Sequence, residues 1–567
     1  MTRGRVFVTL LLVVTSLLIV LPVAVLAIGS FLSEPPRALH FAFSGLTFGN
    51  YIAVLGSPGF WRLLATTITL AVVGTAGAVV FGVVLAWLAV RTDVPGRRIL
   101  EAVAITPMFI PPLVGAFAWD ILASPKSGII NILARSIGIP QAVNVYSLTG
   151  IGFVFAIYYC PYVFLFVAAA LRNMDAVLEE AARMVGAGRL RTIVDITIPL
   201  ILPAFWSAGL LVFVLLIEIF AIPAVLAEPG GIHVLSVRIW ELVGFTPPKV
   251  NEASALGVLL LLLITVTLVL LQNRVLAQRS FITVSGKGQR REPTSLGAWR
   301  WPLCALGFTY LVIAVLLPFL ALLLIALRRN LFFANAKALF NPAQFSFAQF
   351  GVAFGDPVVR LSLANSLLVS CGTIMLGCTL YFAVAYTVHR TRLPGRRALD
   401  IISIMPVAIP GLIIGLGYLW SWITLPIGLY GTVWIIILAY ISQFSPQGVR
   451  AIAASLVQIH PELEECSRLC GAGMLRTLRH VVIPLAWPGV LAAMILLLVL
   501  SFREFATALF LYTSATQVFS LTMFDVWERG STNLVAAMAL IQAGMLLSIV
   551  LVGQRFSRGA TVAPGPS

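Results

Sequence analysis

The sequence predicts an all-α integral membrane protein of about twelve transmembrane helices arranged in two homologous six-helix halves. Three observations carry this. Hydrophobic residues make up 60% of the 567 positions and charged residues 10%, where soluble domains run near half and a quarter. Apolar runs of about 20 residues, the length that crosses a hydrocarbon core, recur from end to end. Motifs of the first half return in the second at a fixed offset. The composition excludes a water-soluble fold, and backbone groups in lipid must be satisfied within their own segment, so runs this long are helices rather than barrel strands.

In order, the runs of the first half fall at 6–28, 65–90, 99–123, 148–171, 201–227 and 253–272. Those of the second half fall at 302–327, 362–388, 399–423, 431–447, 486–511 and 534–552. The first run follows Arg3 and Arg5 and could pass for a signal peptide. Its apolar core exceeds the usual length and no small-x-small cleavage site follows Ile28, so it reads as an uncleaved helix.

Orientation follows from Lys and Arg. With a cytoplasmic Met1, most of the 37 basic residues lie in inside loops, among them Arg91, Arg97, Arg98, Arg172, Arg390, Arg396, Arg397, Arg450 and Arg555. Both termini are expected in the cytoplasm of a bacterium whose inner (plasma) membrane the chain crosses many times. The +16 net charge is thereby a topology signal and requires no nucleic acid. Arg328 and Arg329 fall on the outer side and are the exception. The six cysteines lie in helices or on the inner side without a CxxC, and the five histidines are scattered. No disulfide framework or metal site is expected.

The repeat is explicit. TFGNYIAVLGSP from Thr47 answers SFAQFGVAFGDP from Ser346, and RTDVPGRR from Arg91 answers RTRLPGRR from Arg390. Pro107 and Pro111 match Pro406 and Pro410. After a longer outer loop in the first half, Pro161 matches Pro446, Glu179 matches Glu464, Gly186 matches Gly471 and Pro199 matches Pro484. The expected domains are 1–277 and 301–567, joined by a polar cytoplasmic linker at 278–300. An even helix number inserts both copies the same way round.

Between the fourth and fifth helices of each half lies a segment too polar to cross the membrane. Glu179, Glu180, Glu464 and Glu465 fall early in short helices, toward the positive end of the dipole. Asn173 or Asp175 suits the first cap and Pro461 the first turn of the second helix. Leu178, Ala181, Ala182 and Val185, like Leu463, Cys466, Ser467 and Cys470, recur at helical spacing and give each helix a small-residue face. Glu179 with Arg183, and Glu464 with Arg468, are i,i+4 pairs expected on the other side. Gly186 and Gly471 end the helices. Each segment is shaped to enter a groove in another protein, and Ala181 and Ala182 allow closer approach than Cys466 and Ser467.

The spacing Glu-Ala-Ala, three residues, Gly, nine residues, aliphatic, one residue, aliphatic, Pro resembles the EAA loop of binding-protein-dependent ABC importer permeases. Glu180, Ala181, Ala182, Gly186, Ile196, Ile198 and Pro199 fit position by position, and Glu465, Gly471, Val481, Ile483 and Pro484 fit in the second copy. Cys466 and Ser467 depart from the two alanines. The whole chain is similar to fused permeases for ferric iron, thiamine and 2-aminoethylphosphonate. The resemblance implies a type I importer fold, an ATPase subunit dimer docked on the two loops, and an extracytoplasmic solute-binding protein. ATP would be bound by the partner, with no cofactor in this chain. Ferric iron is the first substrate, with thiamine, an aminophosphonate or a polyamine behind it.

No GxxxxGK[ST] phosphate loop occurs in the sequence. Charged residues inside apolar runs are candidates for the pathway because burying them is costly. Glu218, Arg503 and Glu504, near the end of the fifth helix of each half, are read as pathway groups or as structural ion pairs. Tyr158 and Tyr159 before Pro161 are read as cavity lining or as kink packing. A facilitator-type secondary transporter is the rival from another class, but it has no reason to carry two such loops.

Overall fold

The computed structural model describes residues 2–35, 45–174, 181–182, 184–186, 188–277, 295–330 and 336–561. The first half contains α1 (Gly4–Gly29), α2 (Pro58–Arg91), α3 (Arg97–Phe109), α4 (Pro112–Ala123), α5 (Leu148–Asn173), α6 (Val194–Glu218) and α7 (Val250–Val269). The second contains α8 (Gly297–Ala326), α9 (Pro357–Arg390), α10 (Arg396–Ala408), α11 (Gly411–Thr424) and α12 (Val433–Gln443). It continues with α13 (Ser445–Gln458), α14 (Pro461–Leu469), α15 (Met474–Arg503) and α16 (Thr532–Gly553).

Each apolar run meets a helix, but not every run is one helix. Among the described residues nine helices are long and apolar enough to cross a membrane, and two bent pairs raise the number to eleven. The pair α3 and α4 bends by 97° and the pair α10 and α11 by 112°. The cause is local. Ile110 and Ile409, ahead of Pro111 and Pro410, are extended, because a proline disfavours helical backbone in the residue before it. The run at 431–447 is an 11-residue helix that stops at Phe444 ahead of Pro446. The runs at 201–227 and 486–511 are also interrupted: α6 ends at Glu218 and α15 at Arg503, each followed by an extended residue.

The helices group into two compact units that cut the chain differently from the expected domains. One comprises Met1–Gly56, Ile239–Leu261 and Ala348–Ser567; the other comprises Ser57–Arg238 and Leu262–Phe347. The division at 277 and 301 therefore marks the repeat, whereas packing exchanges the first helix of each half and also places Ile239–Leu261 in the first unit. In the first unit α1 lies on α11: Tyr418 donates its hydroxyl to the Leu18 carbonyl (2.8 Å), and a Cβ on Gly417 would come within 2.6 Å of the Pro22 carbonyl. In the second unit α8 packs on α3, where a Cβ on Gly307 would meet Leu100 at 2.7 Å.

The two α2-type helices solve one packing problem in opposite ways. In the second unit a Cβ on Gly82 of α2 would sit 2.6 Å from Val163 of α5, so the small residue is on α2. At the corresponding contact of the first unit the large residue is Tyr381 of α9 and the glycine is Gly448 of α13, where a Cβ would lie 2.1 Å from the ring. Close helix approach through small residues is the expected packing where lipid supplies no hydrophobic drive.

Arg328, expected on the outer side as the exception to the charge rule, is 2% exposed. It donates to the carbonyls of Asn330 (3.2 Å), Ala338 (2.8 Å) and Leu339 (2.5 Å). Its charge is held by backbone dipoles.

Candidate functional site

In the second half the polar segment is α14, with Pro461 in its first turn and Glu462 and Glu464 toward its positive end. It ends in a Schellman turn: Gly471 N donates to the Arg468 carbonyl (2.9 Å) and Ala472 N to the Ser467 carbonyl (3.1 Å). Gly471 has φ 82°, a conformation that glycine adopts without steric cost. Leu463, Glu465, Cys466, Leu469 and Cys470 are exposed, Leu469 at 88%. The helix thus presents an apolar and small-residue surface.

Glu464 and Arg468 form the i,i+4 pair that their spacing predicts, and Glu464 is in addition buried, at 5% exposed. Tyr386 of α9 donates its hydroxyl to Glu464 Oε2 (2.9 Å), and Arg390 Nε lies 3.3 Å from Oε1 as an ion pair off the hydrogen-bond line. Arg468 closes the cluster at 3.4 Å, and Arg390 also donates to the Ile459 carbonyl (2.5 Å). The physical reason is that a helix packed along the end of α9 turns one residue inward, and a basic side chain waits there. This network was not found from sequence, where Arg390 counted as an inside-loop charge. The available signal was that RTRLPGRR and RTDVPGRR each begin on an arginine at the end of a long helix, and Arg91 too is buried, at 6%.

In the first half Glu179, Glu180 and Arg183 lie outside the described residues, as does Asp175. Ala181 is exposed and Ala182 half-buried, while Met184 and Val185 are 84% and 85% exposed. Gly186 has φ 83°, matching Gly471, and a Cβ at either glycine would meet nothing within 4 Å.

The pathway candidates separate. Glu218 is half-buried at the end of α6, and Arg503 and Glu504 are half-buried at the end of α15. Glu218 belongs to the second unit and the other two to the first. Glu504 Oε1 accepts from both the backbone N and the hydroxyl of Thr507, each at 3.0 Å, and thereby caps the following turn. Tyr158 is 4% exposed, with its ring over Gly115 of α4, where a Cβ would lie 2.5 Å from Cζ. This is close packing of the Pro161-containing helix against α4. Tyr159 is half-buried and stacks on Tyr162 at 5.7 Å. Among the described residues no cluster of three or more metal-ligating side chains occurs.

The family model described as the binding-protein-dependent transport system inner membrane component matches twice, at residues 78–282 and 374–560, and each match contains one of the two polar segments. The ferric transport system permease protein FbpB of Actinobacillus pleuropneumoniae is 25% identical over 93% of this chain and 76% of its own length. A probable ABC transporter permease, y4fN of Sinorhizobium fredii, is 27% identical over 88% of this chain and 87% of its own. A solved bacterial ABC transporter involved in the import of alginate aligns over 46% of this chain and 95% of the solved chain, at 19% identity and a TM-score of 0.37, a likeness too loose to carry an argument.

Proposed function

From the premise that this chain belongs to the family of binding-protein-dependent transport system inner membrane components, as a fused two-domain permease of an ABC importer, we propose that its cargo is ferric iron. The support is the similarity over nearly the whole chain to a permease named for ferric transport. The chain is a transport subunit of the multi-pass inner membrane.

Its finer partnership follows the same reading. An ATPase subunit dimer engages the segment around Ala181, Ala182 and Gly186 and the segment of α14 with Glu465 and Gly471. A binding protein on the opposite side delivers the cargo, and both termini face the ATPase. Exposed Met184, Val185, Leu463 and Leu469 support this, because apolar side chains on a polar cytoplasmic segment gain from entering a partner groove. Selection of the cargo rests mainly with the binding protein, since the described helices gather no metal-ligand cluster.

The observation that carries the importer reading is the double family match, one copy around each polar segment, and the one that supports the cargo is the similarity to the ferric permease. The experiment is purification from native membranes followed by uptake in vesicles. An ATP-hydrolysing subunit should accompany the chain, and labelled ferric iron presented on its binding protein should accumulate with ATP. Accumulation of thiamine, an aminophosphonate or a polyamine instead would replace the cargo. Transport with no ATPase present would overturn the importer reading.

A further inference from the structure

Apart from Glu464 and half-buried Ser467, every residue of α14 is exposed. Ser467 shares a hydrogen bond with Thr477 (2.9 Å). The helix is therefore tied to the body through few side chains, and the strongest tie is ionic: Glu464 against Arg390, with the Tyr386 hydroxyl on the other carboxylate oxygen. Two charges taken out of water gain little net stability over an apolar pair. Their value lies in fixing direction and distance, because removal of one partner strands the other. Arg390 also grips the Ile459 carbonyl, so one guanidinium holds the approach to α14 as well as its first turn.

Both Tyr386 and Arg390 belong to α9. At its other end Asn365 donates to the carbonyls of Ala515 (2.9 Å) and Gln517 (3.1 Å), and Ser366 Oγ accepts from Phe519 N (2.7 Å). The stretch from Asn365 to Arg390 measures roughly 37 Å at 1.5 Å per residue, more than a hydrocarbon core of about 30 Å. A stiff rod is thus clamped at one end to the docking helix and at the other to the 515–519 segment.

We propose that Glu464, Arg390 and Tyr386 form the joint through which movement of α14 is passed to α9, and through α9 to the segment held by Asn365 and Ser366. The inference rests on α14 being the ATPase contact. Glu464 is then a positioning residue: it acts within the permease and leaves contact with the partner to its exposed neighbours.

The test uses the full complex of permease, ATPase subunit and binding protein in proteoliposomes, reading cargo taken up per ATP hydrolysed. Glu464→Ala and Arg390→Ala should each lower that ratio about tenfold, the size of an ordinary coupling free energy. The double variant should be no worse than either single one, and Glu464→Asp should recover part of the ratio. Should the alanine variants not insert, Tyr386→Phe removes one hydrogen bond and keeps the ring; its ratio should fall by about threefold. An unchanged ratio in the inserted variants, or fully additive losses in the double variant, overturns the joint. Failure of the unaltered chain to bind the ATPase is a different result, which removes the docking reading and the joint with it.

Discussion

Tyr310 of α8 donates its hydroxyl to the Ile157 carbonyl of α5 at 2.9 Å. That carbonyl lies four residues before Pro161, which sits inside α5 and has no N–H to offer it. The first helix of the second half thus repairs the backbone of the unit it joins, and the exchange of first helices has a physical cause at this point. Tyr310→Phe should cost about 1 to 3 kcal/mol, the penalty of a buried carbonyl left without a donor. Pro161→Ala should abolish most of that cost. Thermal unfolding of the detergent-solubilised protein checks both, and equal losses for Tyr310→Phe with and without Pro161 would refute the assignment.

The exchange makes a prediction about dividing the chain. Severing it near Gly286 leaves residues 301–567 without Met1–Gly56, which pack in the same unit as Ala348–Ser567. Neither fragment should reach a protease-resistant state alone, whereas the two co-expressed should restore uptake. Independent folding of the second fragment would contradict this.

Gly186 and Gly471 share φ values of 83° and 82° and open surroundings. Valine at either position meets strain of about 1 to 2 kcal/mol from the backbone alone. Both variants should insert normally and lose uptake per ATP hydrolysed. Because the strain is matched, any difference between them reports partner contact, and the closer approach permitted by Ala181 and Ala182 predicts the larger loss for Gly186→Val. Near-normal coupling in both would remove these turns from transmission.

Glu504 caps the turn at Thr507 through one carboxylate oxygen, so Glu504→Gln keeps an acceptor there and removes only the charge. On the pathway reading its maximal uptake rate falls by about tenfold, while the half-saturating concentration of loaded binding protein changes by less than about twofold. A normal rate in Glu504→Gln with a poor one in Glu504→Ala would assign the residue to capping alone.

Much of this molecule was legible in its residues. Runs of apolar length located the helices, the repeat located the halves, and the glycine at the end of each polar segment adopts the left-handed turn expected of it. Pro111 and Pro410 lie in runs read as continuous, yet the extended residue each demands bends the path; hydrophobicity registers length and not direction. The packing of α1 with the second half leaves no local trace, because Tyr418 and Leu18 are distant in sequence and each looks ordinary where it stands. The pairing of Glu464 with Arg468 is visible in the sequence as i,i+4 spacing, whereas the end of α9 lying beside Glu464 is not.

The central claim, that α14 is a docking surface for the ATPase held in place from behind by Glu464, meets its most direct test in the exposed thiol of Cys466. A variant retaining Cys466 as its sole cysteine is reconstituted with and without a cysteine-free ATPase subunit, and the rate of maleimide labelling is followed. The account predicts that the assembled complex labels severalfold more slowly than the permease alone. An unchanged rate in a complex shown intact by co-elution would contradict it.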